Sequence, residues 1–257
     1  MPNYLFSQFK AKEFAALHQE LSKVFDISQC QLQSLYEVMQ QEFELEGYPE
    51  HTLIRNIFHS HNSSFQKRYE EALVVGVDIP SILEKDNNIL NKKTVAIIGQ
   101  DPLRHSDTRV EEISIATPYA LHLKNCREKL HTTRRYFDLI KILLDEGYRV
   151  YLTDIFKVFV SKEDCDRRLP LTKQDHTRFI QVLKAELEIF KPIAVITWGQ
   201  EARIGVSSIK LQHKHLVFPH PSGAANGTWR KLISKPVTRE NRINFWRETV
   251  FAELSEL

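Results

Sequence analysis

From Thr94 onward the sequence repeats one pattern four times: a short apolar run that ends abruptly on a polar residue or a glycine. The runs are Thr94–Ile98, ending in Gly99-Gln100-Asp101-Pro102; Arg149–Thr153, running into Asp154; Ile193–Trp198, ending at Gly199; and His215–Phe218, running into Pro219-His220-Pro221-Ser222. Runs of this length bounded by turn residues predict buried strands. Segments of helical period lie between and after them. One carries Phe137, Ile140, Ile142 and Leu143 and stops at Gly147, one opens at Leu171-Thr172-Lys173-Gln174 and continues to about Phe190 before Pro192, and a last one spans Arg239 to Leu254. Such alternation requires right-handed crossovers, which gives an α/β fold: a mostly parallel, four-stranded sheet with helices on both faces. In that topology the four strand ends lie along one edge. Asp101, Asp154, Gly199 and His220 are therefore expected to be neighbours, at the edge where α/β enzymes place their chemistry.

The chain ahead of this pattern reads differently. Phe14, Leu17, Leu21, Val24 and Phe25 recur at helical spacing, as do Leu32, Leu35, Val38, Met39 and Phe43 after the cap offered by Asp26-Ile27-Ser28. Leu53–Phe58 and Phe65–Val75 extend the helical set, and Asp78-Ile79-Pro80 and Asp86-Asn87-Asn88 mark loops. The expected organisation is an N-terminal helical extension over residues 1–92, packed on a core formed by residues 93–257. Leu103 to Thr117, after the first strand, reads as a long polar loop.

Composition removes several function classes. A net charge of +2 excludes a histone-like partner, so any nucleic-acid surface has to be a local patch. The three cysteines, Cys30, Cys126 and Cys165, are far apart and form no CxxC pair, which argues against a disulfide framework or a four-cysteine metal site and for a reducing, cytoplasmic setting. No window reaches the roughly 20 apolar residues of a membrane span. There is no GxxxxGK[ST], GxGxxG, GxSxG or HExxH, so nucleotide-triphosphate, dinucleotide, serine-hydrolase and zincin chemistry have no foundation here. What remains is a carboxylate and an imidazole on two strand ends, Asp101 and His220. Either also has a structural reading, Asp101 as a turn former before Pro102 and His220 as a loop residue between two prolines.

Gly99-Gln100-Asp101-Pro102 followed by Phe218-Pro219-His220-Pro221-Ser222, with the Trp198-Gly199-Gln200-Glu201-Ala202 turn between them, resembles the signature motifs of the uracil-DNA glycosylase superfamily. The likeness covers about residues 93 to 230. It implies a three-layer α/β/α sandwich that flips a nucleotide out of DNA and cuts the bond between base and deoxyribose, with no metal and no organic cofactor. It also implies roles. Asp101 orients water and stabilises the oxocarbenium-like sugar, His220 donates to the O2 of the departing base, and Gln100 and Ser222 line the pocket.

Where the family's aspartate–proline pair is followed by a tyrosine that blocks the pyrimidine C5 position, this chain has Leu103. Where the family reads uracil with an asparagine, it has Asp154, an acceptor suited to the exocyclic amino group of cytosine. Asp154 as a simple turn cap is the other reading. The family's stacking phenylalanine aligns with Ile115, Tyr119 being the nearest aromatic. These departures predict release of a C5-modified, even glycosylated, cytosine of the sort found in some bacteriophage DNA, an anti-phage activity. The alternatives are a uracil-DNA glycosylase of base-excision repair and a catalytically silent DNA-binding member of the fold. For DNA contact the expected residues are Arg104, Asn226, Trp229, Arg230 and Lys231, supported by His105, Arg134, Arg135 and Lys235, with no leucine where the family's wedge stands; the other reading of this segment is a solvated basic loop with Trp229 buried. DNA is the expected partner, and the protein is expected to act as a monomer away from membranes.

Overall fold

A computed structural model describes residues 4–46, 52–54, 72, 74–87, 89, 91–103, 112–161, 172–210 and 212–257. In chain order the elements are β1 (Tyr4–Phe6), α1 (Ala11–Leu21), α2 (Gln29–Glu42), β2 (Thr52–Ile54), β3 (Val74–Asp78), β4 (Ser81–Lys85), β5 (Thr94–Gly99), β6 (Glu112–Ala116), α3 (Lys124–Glu128), α4 (Arg134–Asp145), β7 (Arg149–Asp154), β8 (Val158–Ser161), α5 (Lys173–Phe190), β9 (Ala194–Trp198), α6 (Gln200–Ser207), β10 (Lys214–Phe218), α7 (Asn226–Ile233) and α8 (Arg239–Leu254). Single 3₁₀ turns lie at Pro118–Ala120 and Gly223–Ala225.

The central sheet has the order β1-β4-β7-β5-β9-β10. Its middle and one flank are the four expected strands, all parallel, with β5 between β7 and β9 and β10 outside β9. The sheet has six strands rather than four: β4 adds antiparallel to β7, and β1 adds antiparallel to β4. At three and five residues these two are too short to display a two-residue alternation against the helical period around them. The stretch read as a polar loop contains β6, which joins β2, β3 and β8 in a second, four-stranded sheet. Residues 53–54 and 74–75, expected to belong to helices, lie in the strands β2 and β3, and Asp78, expected in a loop, ends β3; positions 55–71 lie outside the described residues.

Every residue of β5, β7 and β9 is buried, as a parallel sheet covered on both faces requires. Right-handed crossovers place α4 on one face and α5 and α6 on the other. α8 packs on α4 and α1 packs on α5, completing the layers. Helix starts follow the cap chemistry. Thr172 accepts from the Asp175 amide in a capping box, and Thr238 accepts from the amide of Asn241. Trp198 and Trp246 stack obliquely under the sheet's C-terminal edge, and Trp246 also meets Phe218, so the end of β10 is held from beneath by packed rings.

Candidate active site

The parallel register brings the strand ends together as topology demands. Gly99 lies opposite Asp154, Phe218 opposite Trp198, and the Gly199 amide donates to the Phe218 carbonyl. Gly99 must be a glycine because two side chains converge on its bare backbone. A Cβ there would stand 2.2 Å from Asp154 Oδ1 and 2.4 Å from Tyr119 Oη. Gly199 turns the chain from β9 into α6 with φ of 96°, a conformation that suits only glycine, and sits against His220.

His220 has a defined tautomer. The Ser222 hydroxyl lies 2.8 Å from Nδ1, and the Ser222 amide donates to the same nitrogen at 3.3 Å. A nitrogen that accepts from an amide carries no proton, so Nε2 bears it and the neutral ring presents an N–H donor. The His220 carbonyl accepts from Trp229 Nε1 at 2.9 Å, fixing the backbone of the loop. Burial, and then the charge of Arg135, push the imidazole pKa down to about 4.

This shift carries a sign. Between the ordinary value of 6.5 and the folded value of about 4, the unfolded chain binds the proton and the native chain does not. Stability contributed by this group is therefore complete above pH 6.5 and is lost as pH falls through that window. Titration of the His220 ring by ¹H–¹⁵N NMR is expected to show no protonation down to pH 5, with Arg135→Gln moving the midpoint upward. A wild-type midpoint at or above 6.5 would refute the assignment of a neutral donor.

Opposite His220 stands a cluster of acidic and aromatic groups. The Gln100 amide donates to Asp101 Oδ2 at 3.1 Å, orienting a half-buried carboxylate. Tyr119, held with φ of 61°, stacks on Tyr136 at 4.2 Å and lies 5.2 Å from Trp198 and 6.3 Å from His220. Its hydroxyl is buried and has no hydrogen-bond partner. Burial first, and then Asp154, Asp78 and Asp101 among the nearby charges, hold its pKa well above the ordinary phenol value, so it stays an O–H donor. Asp154 is buried at the end of β7, its carbonyl accepting from Lys157. The site thus has a carboxylate flank and an imidazole flank, with a ring stack between them.

Ile115 is buried in β6, in register with Val77, and the aromatic side chain beside the strand ends is that of Tyr119. Leu103 is 46% exposed and raises no rigid wall after Pro102. Trp229 corrects the expectation of a DNA-stacking ring. It is fully buried, with its indole N–H committed to His220 and its ring against Phe218 and Phe245, because the four-residue spacing to Ile233 turns both inward from α7. Arg230, Lys231 and Lys235 are exposed as expected. Asn226 at the start of α7 accepts from Arg242. Arg104 and His105 lie outside the described residues. Tyr136, Asp78 and Arg242 belong to the site's surroundings and were missed by sequence reasoning. A tyrosine on an apolar helix face and an aspartate in Asp-Ile-Pro carry no distinguishing signal. Among the described residues no group of three or more His, Cys, Asp or Glu side chains is arranged to hold a metal ion, and no helix is long and apolar enough to cross a membrane.

The family model described as the uracil DNA glycosylase superfamily matches residues 88–247, well over half of the chain. The sequence matches no curated protein.

Proposed function

The chain belongs to the uracil-DNA glycosylase superfamily, and on that premise we propose that it hydrolyses the N-glycosidic bond of a nucleotide flipped out of DNA, releasing a cytosine that carries a bulky group at C5. The observation that supports the reaction is that a neutral Nε2–H donor at His220, after β10, and the Asp101 carboxylate, after β5, stand at one edge of the sheet on either side of the end of β9. Cleavage of this bond runs through a cationic sugar and an anionic base. Asp101 stabilises the first and positions the attacking water, which supplies its oxygen to C1′ of the sugar. His220 donates a hydrogen bond to O2 of the second without needing to become cationic first. The products are an abasic deoxyribose and the free base, which ends with the proton left by water.

For the base, the supporting features are the Asp154 carboxylate and the unpartnered Tyr119 hydroxyl converging over Gly99. An acceptor beside a donor matches the N4 amino group and N3 of cytosine, and the exposed Leu103 leaves the C5 side unwalled. A base of this kind in phage DNA makes the activity a defence. Turned over, the same acceptor–donor pair matches N3–H and O4 of uracil, which keeps uracil as the second substrate reading. A panel of oligonucleotides containing uracil, hypoxanthine, 5-substituted and glycosylated cytosines, scored for alkali-sensitive abasic sites, separates them. Release of C5-modified cytosine ahead of uracil is expected. Release of uracil alone would overturn the substrate assignment, and release of no base at all would leave a DNA-binding member of the fold.

A further inference from the structure

Behind the histidine loop lies a cavity of about 200 Å³ between the N-termini of α4 and α8 and the start of α7. Four guanidinium groups, those of Arg134, Arg135, Arg239 and Arg242, line it together with His131, against the single carboxylate of Asp138. Asp138 is already taken. Arg239 grips it through two bonds at 2.6 and 2.5 Å, and Arg134 approaches to 3.8 Å. Arg135 and Arg242 therefore have no carboxylate among the described residues. Arg135 donates to the carbonyls of His131 and Pro221, and Arg242 to the Pro221 carbonyl at 2.8 Å and Asn226 Oδ1 at 2.9 Å.

Arg242 is only 8% exposed, and its Nε is buried with no hydrogen-bond partner. Burial and the neighbouring charge of Arg135 both work against its protonated form. Two like charges held together with only neutral partners, carbonyl and amide oxygens and, for Arg242, the face of the Trp229 ring at 5.2 Å, and with one donor unspent, are a costly arrangement unless an anion completes it. The positive ends of α4 and α8, helices of 12 and 16 residues, point the same way. A tetrahedral oxyanion matches guanidinium forks, which bind phosphate oxygens through paired N–H groups.

We infer that this cavity, through Arg135 and Arg242, holds a phosphodiester group of the DNA strand immediately beside the flipped nucleotide, an inference that rests on the DNA-glycosylase reading. The location argues for strand phosphate over a free anion. Both arginines hold the carbonyl of Pro221, the residue between His220 and Ser222, and Arg135 reaches the exposed Gly223 of the next turn. A nucleotide delivered to His220 brings its own flanking phosphates across that loop. Filling the cavity also sets a negative group beside Arg135, whose charge adds to burial in holding His220 neutral, so backbone engagement is read at the imidazole.

The test uses binding alone, so that it stands apart from any release of base. Duplexes carrying one tetrahydrofuran abasic analogue serve as the flipped centre, in two forms, with the neighbouring phosphodiesters intact or replaced one at a time by neutral methylphosphonate. For the wild-type protein, one such replacement is expected to weaken binding roughly tenfold to a hundredfold. Arg135→Gln on intact DNA is expected to lose a similar factor and to reduce the slope of log K against log salt by about 0.9. Combined with that methylphosphonate, the variant should lose little more. Arg242→Gln should behave alike, and if it fails to fold the half-buried Arg135 position carries the test. Additive losses from Arg135→Gln and every methylphosphonate would overturn the inference. So would inorganic phosphate that raises the wild-type Tm but not that of Arg135→Gln, if no methylphosphonate position couples to the variant, since the cavity would then be a free-anion site. If the coupling holds and the base panel yields no product, the glycosylase reading fails while the phosphate site stands.

Discussion

Asp101→Asn is expected to slow single-turnover base release by roughly 10²–10⁴-fold, and His220→Ala by roughly 10²–10³-fold, with both proteins folded and still bound to DNA. The asparagine keeps the shape of the side chain and a partner for the Gln100 amide, so what it removes is charge. That charge sits on the flank of the site where Asp78, Asp101 and Asp154 all act on the Tyr119 hydroxyl, while the opposite flank carries His220 with Arg135 behind it. The site is therefore polar along the line on which the bond breaks, negative where the sugar becomes cationic and hydrogen-bond-donating where the base becomes anionic. Electrostatic groups fixed in advance act only to the extent that the transition state separates charge. The effects should accordingly appear in the single-turnover rate constant and leave the Kd for a duplex with an uncleavable abasic analogue within about threefold. The double variant should lose less than the product of the single losses, since the two groups act on the two ends of one breaking bond. Equal weakening of binding and rate would instead assign both residues to the DNA interface.

The four parallel strands and their edge were legible because burial on both faces makes each strand a continuous apolar run, and the stop after each run is a chemical signal in itself. Asp101, Asp154 and His220 are assigned to one edge on that basis, and the register sets Asp154 opposite Gly99 and Phe218 opposite Trp198, with Gly199 against His220. β1 and β4 were not legible. Ser81-Ile82-Leu83-Glu84-Lys85 is short and mixed, and its place in the sheet is set by the edge of β7, a contact far away in sequence. The same holds for the second sheet, whose β3 pairs with β6 and β8 at separations no local pattern reports. In the site, Trp229 takes the buried one of its two readings although Arg230 and Lys231 follow it. A basic run looks like one surface in sequence, but on a helix of 3.6 residues per turn it is divided between an inward and an outward face. Tyr136 and Arg242 reach the site from helices, where catalytic surroundings and ordinary packing residues share one period.

Lys157→Met is expected to destabilise the fold by about 3–5 kcal/mol, and Lys157→Met combined with Glu186→Leu to recover most of that loss. Lys157 and Glu186 are both fully buried, with Nζ 2.9 Å from Oε2. The ammonium also donates to Thr153 Oγ1 at 2.7 Å and to the carbonyl of Asp154, and the Thr153 hydroxyl donates to Glu186 at 3.0 Å. The network ties α5 to the end of β7, one residue from the acidic flank of the site. Removing the cation leaves an uncompensated carboxylate in the core, whereas removing both charges removes the desolvation cost as well. Burial outweighs Lys157 at Glu186 and raises its pKa above the ordinary value. The native state then holds that proton more tightly than the unfolded chain, so stability falls as pH rises from the unfolded value toward the folded one. Loss of Lys157 extends that window upward, and the single variant should recover part of its deficit when urea unfolding is repeated at pH 5 instead of pH 8. The function should follow the position of the strand end: the double variant, stable but without the ammonium that grips the Asp154 carbonyl, is expected to discriminate less sharply among bases in the oligonucleotide panel. If the single variant unfolds within 1 kcal/mol of the wild type at about the same urea midpoint, the buried pair does not hold β7 to α5. The placement of Asp154 would then have to come from the sheet register alone.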